Sequence, residues 1–380
     1  VAYFIISTLL LPLMVQAFSC LVAWVISLIS SKMRNKNIIT MVVSLLFLAA
    51  YFYLYSKMGD IISGLIANGT AIAVAFKKYA FPAYYFGVGI AEHNLTYLLL
   101  YTVCTLVVFE LVYAILSRSF RQITTAKKGT ARIKYKERSM HVSSPAAALL
   151  RKDFRHFIGN PMYVLNAWMG EILLVVACVA MLIKKDILTE FLPILNGEGE
   201  IMGLILCVIL CGLSCTNLIT APSISLEGKN LWIAQSIPVP AATVLRAKVK
   251  LQMLLCIPIT ALSALLMGIV LKLELLTLVL AVLVPAAFNL FTALLGVVVN
   301  LHFPKFDYIN ETVVIKQSMS TMICMFGSMA VVLVLALLYA LLLSASVAPT
   351  LFLAVCLVLL VIVCVLMWRY LGHGGSARFA

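Results

Sequence analysis

Charged residues are scarce in this 380-residue chain: they make up 11% of it, and only 14 residues are acidic. A water-soluble domain typically has about 25% charged and about 45 to 50% apolar residues. Here 64% of the residues are hydrophobic, and the mean hydropathy is +1.11. The composition excludes an ordinary soluble domain and predicts an integral membrane protein. The net charge of +14 is therefore interpreted through membrane topology rather than through nucleic-acid binding.

Catalytic and ligand-binding motifs are equally sparse. The five histidines are scattered rather than clustered with carboxylates, which disfavours a membrane-embedded acyl or glycosyl transferase; they are His93, His141, His156, His302 and His373. No G-x-x-x-x-G-K-[ST] motif occurs in the sequence, so the chain is not expected to bind ATP through a P-loop of its own. We therefore expect no catalytic residues.

The ten cysteines all fall inside apolar runs and are interpreted as small packing residues. Cys207, Cys211 and Cys215 share one helical face, but neither a histidine nor a second cysteine pair lies near them. The sequence therefore predicts no metal site.

Nine apolar stretches are long enough to cross a membrane, because a helix needs about 20 apolar residues to span about 30 Å of hydrocarbon. They are residues 3–30, 38–56, 96–117, 161–183, 201–223, 249–271, 275–301, 318–344 and 348–369. This pattern predicts an all-α polytopic membrane protein with nine transmembrane helices. Residues 58–95 are predicted to form short external or re-entrant helices instead.

The loops between these stretches predict the orientation. Every second loop along the chain lies on the same side of the membrane, so the loops form two sets. One set holds 22 Lys and Arg residues, and the other holds 6. Basic residues concentrate on the cytoplasmic side of membranes. We therefore expect a cytoplasmic C-terminus, an external Val1 and an odd number of crossings upstream of Val1. A further crossing at 61–76 would turn the most basic loop outward, which argues against it.

Residues 146–160 have apolar side chains at helical spacing and basic side chains clustered away from them, which predicts an amphipathic helix in the membrane interface. Its interface residues are Arg151, Lys152, Phe154, Arg155 and Phe157, and His156 is assigned to the same basic face. Asn160 and Pro161 supply an N-cap and a first-turn proline for the following helix. Residues 118–145 form a basic linker, for which anchoring to anionic lipid headgroups is favoured over a specific partner.

Two further segments lie between predicted crossings. Residues 225–237 can form a short amphipathic helix that ends before Pro238 and Pro240. Such a helix can dock a partner protein, but it can equally be an ordinary loop with an interfacial Trp232, and the residues alone leave both open. Residues 303–318 form a second, tight connection on the same side.

Several strings resemble the permease subunits of bacterial type-2 ATP-binding-cassette exporters, in particular the large two-repeat permeases of Gram-positive bacteria. They are SLEGKNLWIAQSIPV (225–239), LRKDFRHFIGNPMYVLN (150–166), NLHFPKFDYINETVVIKQS (300–318) and the C-terminal YLGHGGSARFA. The resemblance covers most of residues 146–380, whereas residues 1–117 match mainly by topology.

The resemblance implies a domain organisation, because each repeat of this family has an interfacial elbow helix and six crossings. Residues 146–380 would form one such repeat, with its elbow helix at 146–160 and its coupling segment at 225–237. Residues 1–117 would supply the last three crossings of an earlier repeat, with external helices at 58–95. Residues 118–145 would be the cytoplasmic linker between the two repeats.

The resemblance also implies partners. A separate ABC ATPase dimer would hold ATP and Mg²⁺, while this chain would bind no cofactor and would not itself be an enzyme. The chain would lie in the cell membrane, alone or with a second permease chain, and export an amphiphilic substrate such as a peptide, a lipid-like compound or a drug. The implied ATPase-contact residues are Leu226, Glu227, Gly228, Lys229, Asn230, Trp232, Lys305, Asp307 and Glu311.

Two carboxylates, Glu110 and Glu171, lie inside predicted crossings. Ionisable groups are costly there and point to function, so both are candidates for the transport path, with a structural role left open. Asn166, Asn217 and Asn289 are expected to join helices by hydrogen bonds. An ion-coupled secondary transporter is the alternative function, although two isolated carboxylates are few for that class.

Overall fold

The chain is helical in the computed structural model, which describes residues 2–31, 36–67, 69, 77–125, 143–183, 199–344 and 346–379. No strand occurs in this described part, in agreement with the all-α prediction. The chain divides into two compact units, Val1–Arg138 and Ser139–Ala380. The division falls within the predicted linker, of which residues 126–142 lie outside the described part. The assignment of the two units to two repeats stays a prediction.

The first unit contains, where described, one long helix and two helices that pack against it, followed along the chain of contacts by two more. The helices are α1 (Ala2–Ser31), α2 (Lys36–Ser56), α3 (Met58–Ala67), α4 (Phe81–Ala91) and α5 (Leu95–Thr125). α5 packs against both α1 and α4, and the indole Nε1 of Trp24 donates a hydrogen bond of 2.8 Å to Ser119 Oγ. The short helices predicted within 58–95 are present as α3 and α4, while residues 68 and 70–76 lie outside the described part.

The second unit begins with three helices near its N-terminus and continues through long apolar helices. Its elements are α6 (Pro145–Gly159), α7 (Pro161–Ala167), α8 (Met169–Ile183), α9 (Gly199–Ser214), a 3₁₀ turn (Ser225–Asn230), α10 (Leu231–Ser236), α11 (Ala241–Val270), α12 (Leu275–His302), α13 (Glu311–Gln317), α14 (Met319–Leu338) with a π turn (Tyr339–Leu343), α15 (Pro349–Gly372) and α16 (Gly374–Phe379). α12 lies at the centre, since it packs against α9, α11, α14 and α15.

A helix, α6, is present at the position predicted for the elbow helix, and its location in the membrane interface stays a prediction. Ser144 caps it by accepting a hydrogen bond from the Ala147 amide at 3.4 Å. Asn160 then caps α7, because its Oδ1 accepts from the amides of Met162 and Tyr163 at 3.1 and 3.2 Å. The capping role predicted for Asn160 is thus confirmed, and the extended backbone of this residue, with φ of −118° and ψ of 100°, separates α6 from α7.

The predicted count of nine crossings is not confirmed. Six helices of the described chain are long and apolar enough to span a membrane: Phe4–Val25, Leu95–Ser119, Ala241–Val270, Leu275–His302, Glu311–Leu343 and Pro349–Gly372. A pair bent by 49°, Thr40–Ser56 and Met58–Gly64, would make a seventh if it is one span. The stretches predicted at 161–183 and 201–223 contain the shorter apolar helices α8 and α9 instead.

A contact between two interrupted helices accounts for both shortened stretches. Trp168, between α7 and α8, pairs with Asn217 as an isolated antiparallel bridge, and the Leu218 amide donates to Ala167 O at 2.8 Å. Gly170 permits this approach, because a Cβ atom there would lie only 2.7 Å from Asn217 Oδ1. Hydropathy alone does not reveal such a pairing, so the sequence predicts two continuous helices where the structure has two interrupted ones.

Close helix packing in the second unit yields a testable prediction. A Cβ atom on Gly296 of α12 would clash with Thr220 Oγ1 and lie 2.9 Å from the Ala221 amide, whereas a Cβ on Gly327 of α14 would meet nothing within 4 Å. We expect Gly296→Ala to lower the free energy of unfolding by about 1 to 3 kcal/mol through overpacking. Gly327→Ala, the matched control, should raise it by up to about 1 kcal/mol through helix propensity.

Thermal unfolding of the two purified variants in the same detergent measures the difference. Equal midpoints for the two variants would contradict the close contact at Gly296.

Candidate functional site

The segment predicted at 225–237, here named the coupling segment, is a bent helical element. A 3₁₀ turn (Ser225–Asn230) leads into α10. The bend lies at Gly228, whose φ of +53° and ψ of −130° are strained for any residue with a side chain. A Cβ atom there would also lie 2.8 Å from the Tyr308 hydroxyl. Glycine is therefore required at this bend for two independent reasons.

The base of the coupling segment is fixed by one buried amide. Asn300, at the end of α12, accepts hydrogen bonds through Oδ1 from the amides of Ile224 and Ser225 at 2.8 and 3.1 Å. Its Nδ2 donates to Ser225 Oγ at 2.7 Å, and the same hydroxyl accepts from the Lys305 amide at 2.9 Å. Asn300 thus joins the coupling segment, α12 and the loop that follows α12.

Four charged side chains, here named the ionic cluster, join the coupling segment to α6 and α11: Lys152, Asp153, Glu227 and Lys248. Glu227 accepts from Lys152 Nζ at 2.7 Å and from Lys248 Nζ at 2.8 Å. Asp153 lies 3.7 Å from Lys152 and 3.6 Å from Lys248, and Lys248 also donates to the Ser223 carbonyl at 3.2 Å. The Lys248 side chain is only 3% exposed. Removing its partners would leave a buried, unpaired cation, which is strongly destabilising.

The cluster sets the ionisation of Glu227. Burial alone would raise the pKa of this carboxyl, but Lys248 and Lys152 outweigh burial and lower the pKa to about 2. Glu227 is therefore ionised at neutral pH and faces the inside of the cluster. A residue that the family resemblance marks for ATPase contact thus stabilises the base of the segment.

A second contact joins the end of α6 to the start of α13. Asn160 Nδ2 donates a hydrogen bond to Glu311 Oε2, and His156 Nε2 lies 3.8 Å from Glu311 Oε1. Glu311, another residue implied for ATPase contact, therefore binds the elbow region. A cavity of about 280 Å³ lies between the ionic cluster and this contact.

The remaining predicted contact residues differ in exposure. Lys229, Asn230 and Asp307 are exposed, as is Trp232 with 63% of its surface, while Lys305 is half-buried and Leu226 is buried. Tyr308 donates to the Leu226 carbonyl at 3.2 Å, so the coupling segment and the loop after α12 are adjacent. Both carry further exposed apolar side chains, namely Ile233, Phe303, Phe306 and Ile309.

Glu171 lies in a polar network between the long helices. Its side chain is 1% exposed, and Oε1 accepts from Asn217 Nδ2 at 2.9 Å and from Thr260 Oγ1 at 2.8 Å. Asn289 Nδ2 donates to Thr260 Oγ1 and to Ser214 Oγ at 2.9 and 3.0 Å. The prediction that Asn217 and Asn289 join helices is confirmed, and Glu171 belongs to the same network.

Gln252 extends this network towards the coupling segment. Its Oε1 accepts from the amide and the hydroxyl of Thr220, both at 3.0 Å, and its Nε2 donates to the Asn217 carbonyl at 2.9 Å. Asn166, by contrast, donates within its own helix to the Met162 carbonyl. Glu110 lies on an exposed face of α5 in the first unit.

The comparisons with known proteins give a family. A family model described as "Putative ATP-binding cassette" matches residues 5–368, nearly the whole chain. The chain belongs to this family. No curated protein and no solved structure matches it.

Membership of the ATP-binding-cassette family, together with the long apolar helices, makes the chain a membrane component of an ABC transporter. Such a component works with an ATPase. The geometry brings most of the predicted coupling residues to one end of the second unit, and it separates them into an anchored group and an exposed group.

Four residues that organise this ABC transporter component have contacts that the sequence did not predict. Lys248, Gln252 and Thr260 lie at intervals of four and eight residues along α11, so they share one helical face with Cys256. Asn300 lies near the end of a mostly apolar helix. Polar residues repeated at helical spacing inside an apolar run were the available signal for the α11 group.

The ionic cluster predicts a pH-dependent stability. Because the pKa of Glu227 is lowered from 4.5 to about 2, its contribution is complete above pH 4.5 and is lost as the pH falls towards 2. A shift of this size corresponds to about 3 kcal/mol. We expect Glu227→Gln to be less stable than wild type at neutral pH, with the difference shrinking as the medium is acidified.

Thermal unfolding midpoints of both proteins across this pH range measure the difference. Lys229→Gln, an exposed neighbour, is the control and should unfold like wild type at every pH. A constant difference between Glu227→Gln and wild type would contradict the assigned pairing.

The polar network predicts distinct effects for two substitutions of one residue. Glu171→Gln keeps an acceptor oxygen for Asn217 and Thr260, so we expect its stability to stay close to that of wild type. Glu171→Leu removes the acceptor and should cost about 1 to 3 kcal/mol of unfolding free energy. Glu110→Leu, on an exposed helix face, is the matched control and should not destabilise the protein. Similar losses for Glu171→Gln and Glu171→Leu would contradict the hydrogen-bonding role.

Proposed function

We propose that this chain is the permease subunit of an ATP-driven exporter, and that the exposed part of the coupling segment docks a separately encoded ATPase. The observation that carries the proposal is the division of the segment into an anchored base and an exposed apolar end. The base is held by Asn300 and the ionic cluster. The end presents Trp232 and Ile233, 63% and 45% exposed, and the neighbouring loop presents Ile309, which is also exposed.

Physical chemistry supports docking over an ordinary loop. Exposed Trp side chains are among the residues that contribute most to protein interfaces, particularly when apolar neighbours exclude water around them. The base of the segment is tied to α6, α11 and α12 through buried contacts. Displacement of the docked end would therefore move helices of the second unit and bias it between two conformations.

The orientation and the energy source belong to the same proposal. The distribution of Lys and Arg supports a cytoplasmic location for the coupling segment and the C-terminus, in the cell membrane. ATP and Mg²⁺ would be bound by an ATPase dimer, and this chain would contribute no catalytic group. The family resemblance supports export of an amphiphilic substrate and a two-repeat chain, which acts alone or with a second permease chain.

Co-purification tests the proposed docking. The full-length permease is co-expressed with the ATPase encoded beside it and isolated by a tag on the permease alone. We expect the ATPase to co-purify with wild type, and Trp232→Ala combined with Ile309→Ala to reduce the recovered ATPase at least about tenfold, as loss of an interface hot spot would.

Leu366→Ala is the matched control, because Leu366 is 60% exposed on α15 and belongs neither to the coupling segment nor to the loop after α12. It should retain the ATPase at the wild-type level. Recovery of equal ATPase with the double variant, at equal permease yield, would refute this docking surface. Failure of wild type to retain any ATPase would refute the exporter assignment and direct attention to ion-coupled transport.

A further inference from the structure

An apolar groove on the surface of the second unit ends at a cationic residue. The groove has a volume of about 290 Å³ and lies between α12 and α15. Its walls include Ala287, Leu290 and Val361, and its end is formed by Trp368 and Arg369. Val361 is 47% exposed, so the groove opens on the outer surface of this helical unit, where hydrocarbon surrounds a membrane protein.

The cationic end of the groove is a built arrangement. The guanidinium of Arg246, from the first turns of α11, lies 5.1 Å from the ring centre of Trp368. Gly372 leaves space for it, since a Cβ atom there would lie 2.9 Å from Arg246 Nη2. The indole ring and the backbone at Gly372 therefore hold Arg246 against the last turns of α15, the helix that also carries Arg369.

The two arginines have no anionic partner within the described chain. No described carboxylate lies within 4 Å of either guanidinium, in contrast to Lys152 and Lys248 at the same end of the unit. Arg246 Nε is buried and has no hydrogen-bond partner among the described residues. The guanidinium has four further N–H donors on its two Nη atoms, and an anion that accepts from them would stabilise this arrangement.

We propose that this groove binds an anionic phospholipid. The phosphate is recognised by Arg246 and Arg369, because guanidinium groups match phosphate oxygens in geometry and charge. One acyl chain lies along the groove from Trp368 towards Val361, a distance of about 10 Å along the helix. Trp368 lies at the level of the headgroups, where indole rings of membrane proteins are enriched.

Charge complementarity favours this occupant over a neutral lipid. Each Lys or Arg near a membrane surface contributes about 1 kcal/mol of attraction to anionic lipid. Two arginines therefore correspond to a preference of at least about tenfold for an anionic over a zwitterionic headgroup. The proposal needs only the membrane location of the second unit and does not depend on ATPase docking.

Photolabelling tests the proposal on the full-length chain in phosphatidylcholine nanodiscs. Two probes carry the same diazirine acyl chain, one on phosphatidylglycerol and one on phosphatidylcholine. We expect the phosphatidylglycerol probe to label residues 287–294 and 361–368 at least about tenfold more than the phosphatidylcholine probe does. Mass spectrometry of the digested protein identifies the labelled peptides.

Two kinds of variant separate the headgroup contact from the groove. Arg246→Gln with Arg369→Gln should abolish the preference for phosphatidylglycerol, whereas Arg155→Gln, an exposed arginine of α6, should retain it. Ala287→Phe fills the groove without changing charge and should reduce labelling of these peptides by both probes. A variant is included in the comparison only if its thermal unfolding midpoint matches that of wild type.

Three outcomes would overturn the proposal. Equal labelling by the two probes in wild type would mean that the groove holds lipid without recognising phosphate. An unchanged preference in the double arginine variant would place the recognition elsewhere. Absence of labelling by either probe would mean that protein covers the groove. None of these outcomes bears on whether an ATPase docks on the coupling segment.

Discussion

The second unit depends on the pairing of Asn217 with Trp168, the residue at which the helix is interrupted between α7 and α8. Hydrocarbon offers no hydrogen-bond partners, so every polar group freed by an interrupted helix must find one within the protein. Asn217 provides several of these partners. Its side-chain amide accepts from the Glu171 backbone N–H and donates to the Glu171 carboxylate, and its backbone carbonyl accepts from Gln252. Two interrupted helices are tolerated in this apolar unit because each one supplies the groups that the other lacks.

Charge imposes a comparable constraint at the end that carries the coupling segment. Burying an ion pair is favourable only when geometry and additional hydrogen bonds compensate for lost hydration. Lys248 meets this condition through two carboxylates and a carbonyl. Because Glu227 is one of those carboxylates, the base of the segment is confined to one position. The exposed residues beyond Gly228 take no part in this ion pairing, so they remain available to a partner protein.

Sequence patterns were sufficient for the local elements of this region and insufficient for their tertiary roles. Amphipathic spacing and capping chemistry predicted α6 and the cap at Asn160, since both depend on neighbours in sequence. The same patterns predicted continuous helices through Trp168 and beyond Ser214, because hydropathy cannot register a pairing between residues 49 positions apart. Likewise, the sequence gives Glu227 and Trp232 the same standing as surface residues of a loop. Only the positions of Lys152 and Lys248 in the fold show that Glu227 is an internal ion-pair partner.

One face of α11 connects the two polar regions. Lys248 binds Glu227, Gln252 binds Thr220 and Asn217, and Thr260 binds Glu171, in order along the helix. The residues are four and eight positions apart, so they form a single stripe of about 18 Å at 1.5 Å per residue. The coupling segment and the interrupted helices therefore contact the same rigid element. A rotation of α11 that broke its contact with Glu227 would also strain the hydrogen bonds around Asn217, because both sets are made by side chains of one helical face.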